Sequence, residues 1–276
     1  MLTQIDKANQ FRALHQRQGA FIIPNPWDVG SARLLARLGF EALATTSAGH
    51  AFSLGQQDGT IGRDQVIAHV AALAGATDLP VSADLENGFG DSPETVAETI
   101  GLAAAAGAVG GSIEDVPRHG GGSPYEVEYA AERIRAAAQV ARSLSFPFTL
   151  TARSENYLAG RPDLRDTIAR LQAYQEAGAD VLYAPGLTSE HDIAAVVRAL
   201  DRPVNVLMGL QGVHLSLAEL AALGVRRVSV GSALARAAFG AFLRGAQEMK
   251  EHGTFSFAAD AINYRELNTM LAGDGV

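Results

Sequence analysis

Apolar runs of four to six residues alternate with amphipathic stretches along the whole chain. Short apolar runs bounded by glycine or proline suit buried parallel strands, and the longer segments between them carry helical spacing. The pattern predicts strands over 20–24, 42–46, 80–83, 109–113, 148–152, 180–184, 203–207 and 225–230. A helix follows each, over 29–38, 63–74, 93–106, 125–142, 164–176, 190–200, 217–223 and 233–250. Four helices run into Gly39, Gly107, Gly178 or Gly224, the residue type that best takes the left-handed conformation ending a helix. Eight βα units without a linker or low-complexity break predict an α/β fold, a closed (β/α)8 TIM barrel rather than an open doubly wound sheet. The chain reads as one domain, residues 1–276, with the barrel over 20–250. Beyond it, 251–276 has amphipathic spacing and predicts added C-terminal helices that pack on another subunit or on the barrel bottom.

Composition narrows the classes. The 276 residues, 47% hydrophobic, are enough for a large core and match the usual barrel length of about 250. A net charge of −8 argues against nucleic-acid and anionic-membrane partners. With no cysteine there is no disulfide, no thiolate metal site and no cysteine nucleophile or acid. The polar, mixed-charge segment 1–12 is unlike a secretory signal, and the glycine-interrupted run 100–113 is unlike a membrane span. These features predict a soluble cytoplasmic protein.

Chemistry concentrates at the predicted strand ends, where barrels of this kind keep their active sites. Strand three closes on Asp84 and Glu86 ahead of Gly88-Phe89-Gly90, and strand four closes on Glu114-Asp115. Carboxylates are disfavoured in strands, and the i, i+2 spacing puts Asp84 and Glu86 on one face of an extended segment. Thr46-Ser47-Ala48 and Asp58 follow strand two, Arg153 ends strand five, and Asn205 lies on strand seven. Hard oxygen donors around one arginine suit Mg²⁺ and a small anionic substrate, with Arg153 gripping a carboxylate bidentately. Asp58 equally suits a plain Gln-Asp-Gly turn, Asn205 equally suits buried backbone groups, and Arg226-Arg227 reads as a surface pair.

These motifs resemble the isocitrate lyase/phosphoenolpyruvate mutase superfamily. Asp84-Leu85-Glu86-Asn87-Gly88-Phe89-Gly90 is similar to that family's Asp-x-Asp-x-Gly-Tyr/Phe-Gly run, with Glu in the second acidic place. Leu54-Gly55 with Asp58, Ile113-Glu114-Asp115 and Ala152-Arg153 match three further phrases in the same order. The resemblance implies a Mg²⁺-dependent barrel acting on a small 2-oxo acid through an enolate. Asp84 would touch the metal, and Asp58, Glu86 and Glu114 would hold it through water. Arg153 and the Thr46-Ser47-Ala48 segment would bind substrate, with Asn205 beside them. It also implies a homodimer or homotetramer, since family members often exchange the last helix between paired subunits.

One departure bears on the reaction. The lyases of this family carry a Lys-Lys-Cys-Gly-His loop after the Glu-Asp motif, whereas 116–125 here reads Val-Pro-Arg-His-Gly-Gly-Gly-Ser-Pro-Tyr. The thiol proton donor is gone, leaving His119, with His50 and Tyr125, as candidate acids. The leading expectation is a C–C lyase or decarboxylase-like activity on an oxaloacetate-like dicarboxylate. The alternatives are a phosphonopyruvate-type P–C mutase or hydrolase, a catalytically silent 2-oxo acid binder, and a phosphosugar barrel using Gly231-Ser232.

Overall fold

The computed structural model describes residues 2–118 and 122–272. Eight strands alternate with helices: α1 (Gln4–Gln16), β1 (Phe21–Ile23), α2 (Val29–Arg37), β2 (Leu43–Ala44), α3 (Ser47–Ser53), α4 (Arg63–Ala76), β3 (Val81–Asp84), α5 (Pro93–Ala105) and β4 (Gly110–Glu114). Then come α6 (Val127–Ser143), β5 (Thr149–Arg153), α7 (Leu164–Ala177), β6 (Val181–Tyr183), α8 (Glu190–Arg198), β7 (Val204–Leu207), α9 (Leu217–Ala222), β8 (Arg227–Ser229), α10 (Ala233–His252) and α11 (Tyr264–Leu271). All ladders are parallel, and β1 pairs with β8. The β1–β2 seam is bridged by the Ala44 N–H donating to the Pro24 carbonyl at 3.1 Å. The predicted (β/α)8 barrel is therefore present, and the four predicted helix-ending glycines all have φ between 83° and 110°.

Aliphatic side chains on α5, α6, α7 and α8 pack against the outer faces of β3 to β7, forming the main core between sheet and helices. Small residues let α5 and α6 approach closely: Ala103, Ala104, Ala130, Ala137 and Ala141 are all essentially buried there. The barrel interior is more polar. Ser82, Thr151, Asn205, Arg227 and Ser229 are all buried within or beside it.

Two elements go beyond the predicted eight units. Helix α1 starts at a capping box in which Thr3 and Asp6 satisfy each other's backbone N–H groups. Its stripe of Ala8, Phe11 and Leu14 packs on Phe21, Ile23, Ala42 and Val109, closing the N-terminal end of the barrel. Helix α3 is a short turn capped by Thr46, whose hydroxyl accepts from the Gly49 N–H at 3.2 Å. At the other end of the chain, α11 lies against α2 rather than under the barrel. The Arg37 guanidinium donates to the Ala272 carbonyl at 2.8 Å and ties the two together.

Candidate active site

Three strands deliver their last residues to one level of the barrel mouth. Register pairs Asp84 with Ser112 and Glu114 with Arg153, so the ends of β3, β4 and β5 lie side by side. Arg153 is the hub. Its Nη1 lies 3.2 Å from Asp84 Oδ1 and 2.9 Å from Glu114 Oε1, and its Nε lies 2.8 Å from Glu155 Oε1. The guanidinium stands 4.9 Å from the centre of the Tyr183 ring, and its Nη2 donates to no protein group among the described residues. Arg153 lines a narrow polar hollow of about 50 Å³ together with Asn25, Thr45, Asp84, Tyr183, Asn205 and Arg227.

Asp84 is fixed on every side. Its backbone N–H donates to Thr45 Oγ1 at 2.7 Å, and its Oδ2 accepts from the Ser47 N–H at 3.1 Å. The loop after β3 is strained: Glu86 has φ 49° and Phe89 φ 63°, conformations side-chain-bearing residues seldom take. Such strain tends to persist at sites where the surroundings enforce it. Here it aims Glu86 into a cavity of about 190 Å³ shared with Ser47, Asp58, Asn87, Glu114 and Arg118. Arg133 holds the loop from behind, donating to the carbonyls of Asp91, Glu114, Asn87 and Gly90 while almost wholly buried.

Electrostatics in the mouth is lopsided. Among the described residues, Asp58, Asp84, Glu86, Glu114 and Glu155 face two guanidiniums, Arg153 and Arg118. Burial pushes the Glu86 carboxyl up to about 7, with Arg118 opposing and Asp84 and Asp58 adding to the rise. Burial likewise raises Glu114, with Arg153 opposing and the neighbouring carboxylates adding to it. Asp115, by contrast, turns out of the barrel, where Tyr174 Oη donates to it at 2.6 Å and Arg170 Nη1 lies at 3.3 Å. It also accepts from the Glu155 N–H at 2.8 Å, so its work is to anchor the strand ends.

The structure therefore brings Asp58, Asp84, Glu86, Glu114, Ser47 and Arg153 together. Ala48 follows Ser47 in the first turn of α3. Thr46 spends its hydroxyl on capping α3. Asn205 lines the hollow below, donating to Ser229 Oγ at 3.0 Å and accepting from Arg227 Nε at 2.9 Å. His119 lies outside the described residues. His50 faces away from the mouth, stacked on His69 with ring centroids 3.7 Å apart. Tyr125 sits behind the loop, donating to Asp91 Oδ1 at 2.6 Å. Arg227 corrects the surface reading of Arg226-Arg227. It is buried inside the barrel, bonded to Asn205 and to Thr151 Oγ1 at 3.0 Å, with no carboxylate partner among the described residues, and burial brings it down to about 10. A wider hollow of about 670 Å³ at the opposite end, lined by Arg12, His15, Phe146 and Arg202, holds no comparable constellation.

Comparison with known proteins decides the family. The family model described as phosphoenolpyruvate phosphomutase matches residues 11–250. The chain belongs to the isocitrate lyase/PEP mutase superfamily. A Burkholderia cenocepacia J2315 crystal structure titled as a lyase/mutase is 65% identical, with TM-score 0.96 over 98% of this chain and 97% of that one. An uncharacterized Mycobacterium tuberculosis H37Rv protein is 34% identical, covering 80% of this chain and 81% of its own. The oxaloacetate decarboxylase of Chromohalobacter salexigens is 28% identical, covering 98% and 93% respectively. Other members that match are named 2-methylisocitrate lyase, 2,3-dimethylmalate lyase and oxaloacetate acetylhydrolase.

Within this superfamily the donor set here fits a hard divalent cation. The carboxylates outnumber the arginines, all candidate donors are oxygens, and Glu86 Oε1 is buried with no hydrogen-bond partner among the described residues. Among the described residues no three acidic or histidine side chains already converge as a finished ligand set. The physical reason is visible: Arg153 holds Asp84 and Glu114, and Arg118 holds Glu86.

Proposed function

We propose that this chain is a Mg²⁺-dependent enzyme that cleaves or forms a C–C bond beside the oxo group of a small 2-oxo acid. An oxaloacetate-like dicarboxylate is the substrate class. The carrying observation is Arg153, locked by Asp84, Glu114 and Glu155 with its Nη2 edge free at the barrel mouth. A guanidinium fixed this way presents donors to a carboxylate without paying for its own ordering. Ser47 already gives its amide to Asp84, so the Ala48 amide in the first turn of α3 is the main-chain donor assigned to substrate there, and Tyr183 lies against Arg153.

Asp84, with Asp58, Glu86 and Glu114, would hold Mg²⁺, and the ion would polarise the substrate's oxo oxygen and stabilise the enolate. The protein's share is to hold the carboxylate and to fix the substrate carbonyl against the acidic cluster. For oxaloacetate the C3–C4 bond breaks, its electron pair passes into the enolate, CO2 leaves, and a proton is then taken up at C3. No cysteine exists to supply that proton. This supports decarboxylation, in which water delivers the proton after the bond has broken, over the thiol-dependent lyase reaction.

The test is NMR analysis of products from oxaloacetate, 2-oxoglutarate and phosphonopyruvate, each with Mg²⁺ and with chelator. Metal-dependent conversion of oxaloacetate to pyruvate supports the reading. Phosphate release from phosphonopyruvate, with oxaloacetate untouched, would replace it with P–C chemistry.

A further inference from the structure

The loop after β4 places a cation where the proposed metal site needs a vacancy. Arg118 Nε lies 2.9 Å from Glu86 Oε2, and both side chains are mostly buried, 15% and 8% exposed. The Arg118 Nη2 donates to the Ile61 carbonyl, and the guanidinium stands 4.8 Å from the centre of the Phe89 ring. One side chain thus bridges three segments: its own, the loop after β3, and the approach to α4.

Three features show that this pairing is poor as a permanent structural bond. The Nε is close to the carboxylate yet misaligned, so it makes no hydrogen bond there. The second oxygen of the same carboxylate, Glu86 Oε1, is buried with no hydrogen-bond partner among the described residues. The backbone also bears φ 49° at Glu86 to aim that carboxylate inward, a cost that a lone ion pair does not need. A buried ion pair contributes little net stability, because desolvation offsets its Coulomb gain. A divalent cation brings twice the charge, and the water in its shell can donate to both carboxylate oxygens.

We propose that Arg118 is a tethered counter-cation that holds Glu86 until a divalent cation displaces it, so that cation binding and release of residues 116–118 are one linked event. The proposal rests on the metal reading above. Its physical content is competition: Glu86 cannot serve the guanidinium and the ion together, so the Arg118 pair lowers the apparent affinity for the ion. The segment 116–125 has no lysine, leaving Arg118 as its only Lys or Arg.

The experiment uses Mn²⁺ as probe on the full chain, with affinity read by EPR and segment opening read by hydrogen exchange. Wild type, Arg118→Gln and Asp84→Asn are compared. Arg118→Gln is expected to bind Mn²⁺ about tenfold more tightly than wild type. In wild type, saturating Mn²⁺ is expected to speed amide exchange over 114–118, a measurement that needs no variant to fold. If Asp84→Asn loses Mn²⁺ while Arg118→Gln stays within about twofold of wild type, the metal site stands and the proposal is wrong. Tighter binding in Arg118→Gln without faster exchange in wild type would reduce Arg118 to through-space repulsion and also overturn displacement. No Mn²⁺ binding by any of the three proteins would overturn both the proposal and the metal reading.

Discussion

Arg153 shows how one residue type is turned to a task by its surroundings. Three carboxylates hold it at 2.8, 2.9 and 3.2 Å, and a tyrosine ring lies beneath it. Lysine cannot reproduce that fork, because one ammonium cannot meet Glu155 and Glu114 while offering a flat edge to substrate. Arg153→Lys is therefore expected to lower kcat/KM by about 100-fold or more, with thermal stability nearly kept. An unchanged kcat/KM would remove Arg153 from the site. The position of Arg153 was legible in the sequence as the residue ending strand five. The roles of Arg118, Arg133 and Arg227 were not. Nothing local distinguishes a solvated arginine from a buried one, since each owes its role to groups far away in the chain.

Arg133 belongs to the scale of elements, because it fastens α6 to the loop after β3. Four carbonyls accept from it, and the Tyr125 ring stacks 4.4 Å from its guanidinium. Arg133→Met would leave those carbonyls buried and unpaired. The expected cost is about 3 kcal/mol or more in urea unfolding, with weaker metal binding because Glu86 loses its support.

Helix α1 supplies a pH test. His15 donates from Nδ1 to the Phe11 carbonyl at 2.8 Å and turns Nε2 toward Arg227 at 3.4 Å. Burial first, and Arg227 second, depress its pKa to about 3. The folded state thus refuses a proton that the unfolded chain accepts below about 6.5. The stability linked to neutral His15 is full above that pH and drains away as pH falls toward 3, by about 1.4 kcal/mol per unit. Between pH 7 and pH 5, wild type should lose about 2 kcal/mol more than His15→Gln in urea unfolding. Equal losses would show that His15 is protonated in the fold. Helix α1 escaped prediction because most of its residues are polar and its buried apolar stripe is short, Ala8, Phe11 and Leu14 with Lys7 and His15 buried beside it. The Thr3/Asp6 capping box was the signal available.

At the scale of the whole molecule, the barrel was the most legible feature. Each apolar run fell on a strand or its flank, and each glycine stop fell at a helix end, because burial on both faces leaves no polar alternation to confuse the pattern. The C-terminal segment was legible as helix but not in its placement, which depends on α2. From α10 onward, Phe242, Phe255, Ile262 and Tyr264 are 69%, 67%, 49% and 82% exposed. We propose that a second copy covers this surface, in line with the homodimer or homotetramer that the family resemblance implies. Light scattering should return a multiple of 28.9 kDa for wild type and a smaller assembly for Phe242→Asp with Tyr264→Asp. A monomeric wild type would contradict it. Among the described residues no helix is long and apolar enough to cross a membrane.

The proposed chemistry depends on one carboxylate at the end of β3 acting together with a divalent ion. The direct measurement is calorimetric titration of oxaloacetate and pyruvate, with Mg²⁺ and with chelator, into wild type and Asp84→Asn, followed by product analysis. Mg²⁺-dependent binding and turnover that disappear in Asp84→Asn are the expected result. Binding and turnover that ignore both the metal and Asp84 would contradict it and leave the barrel without its assigned reaction.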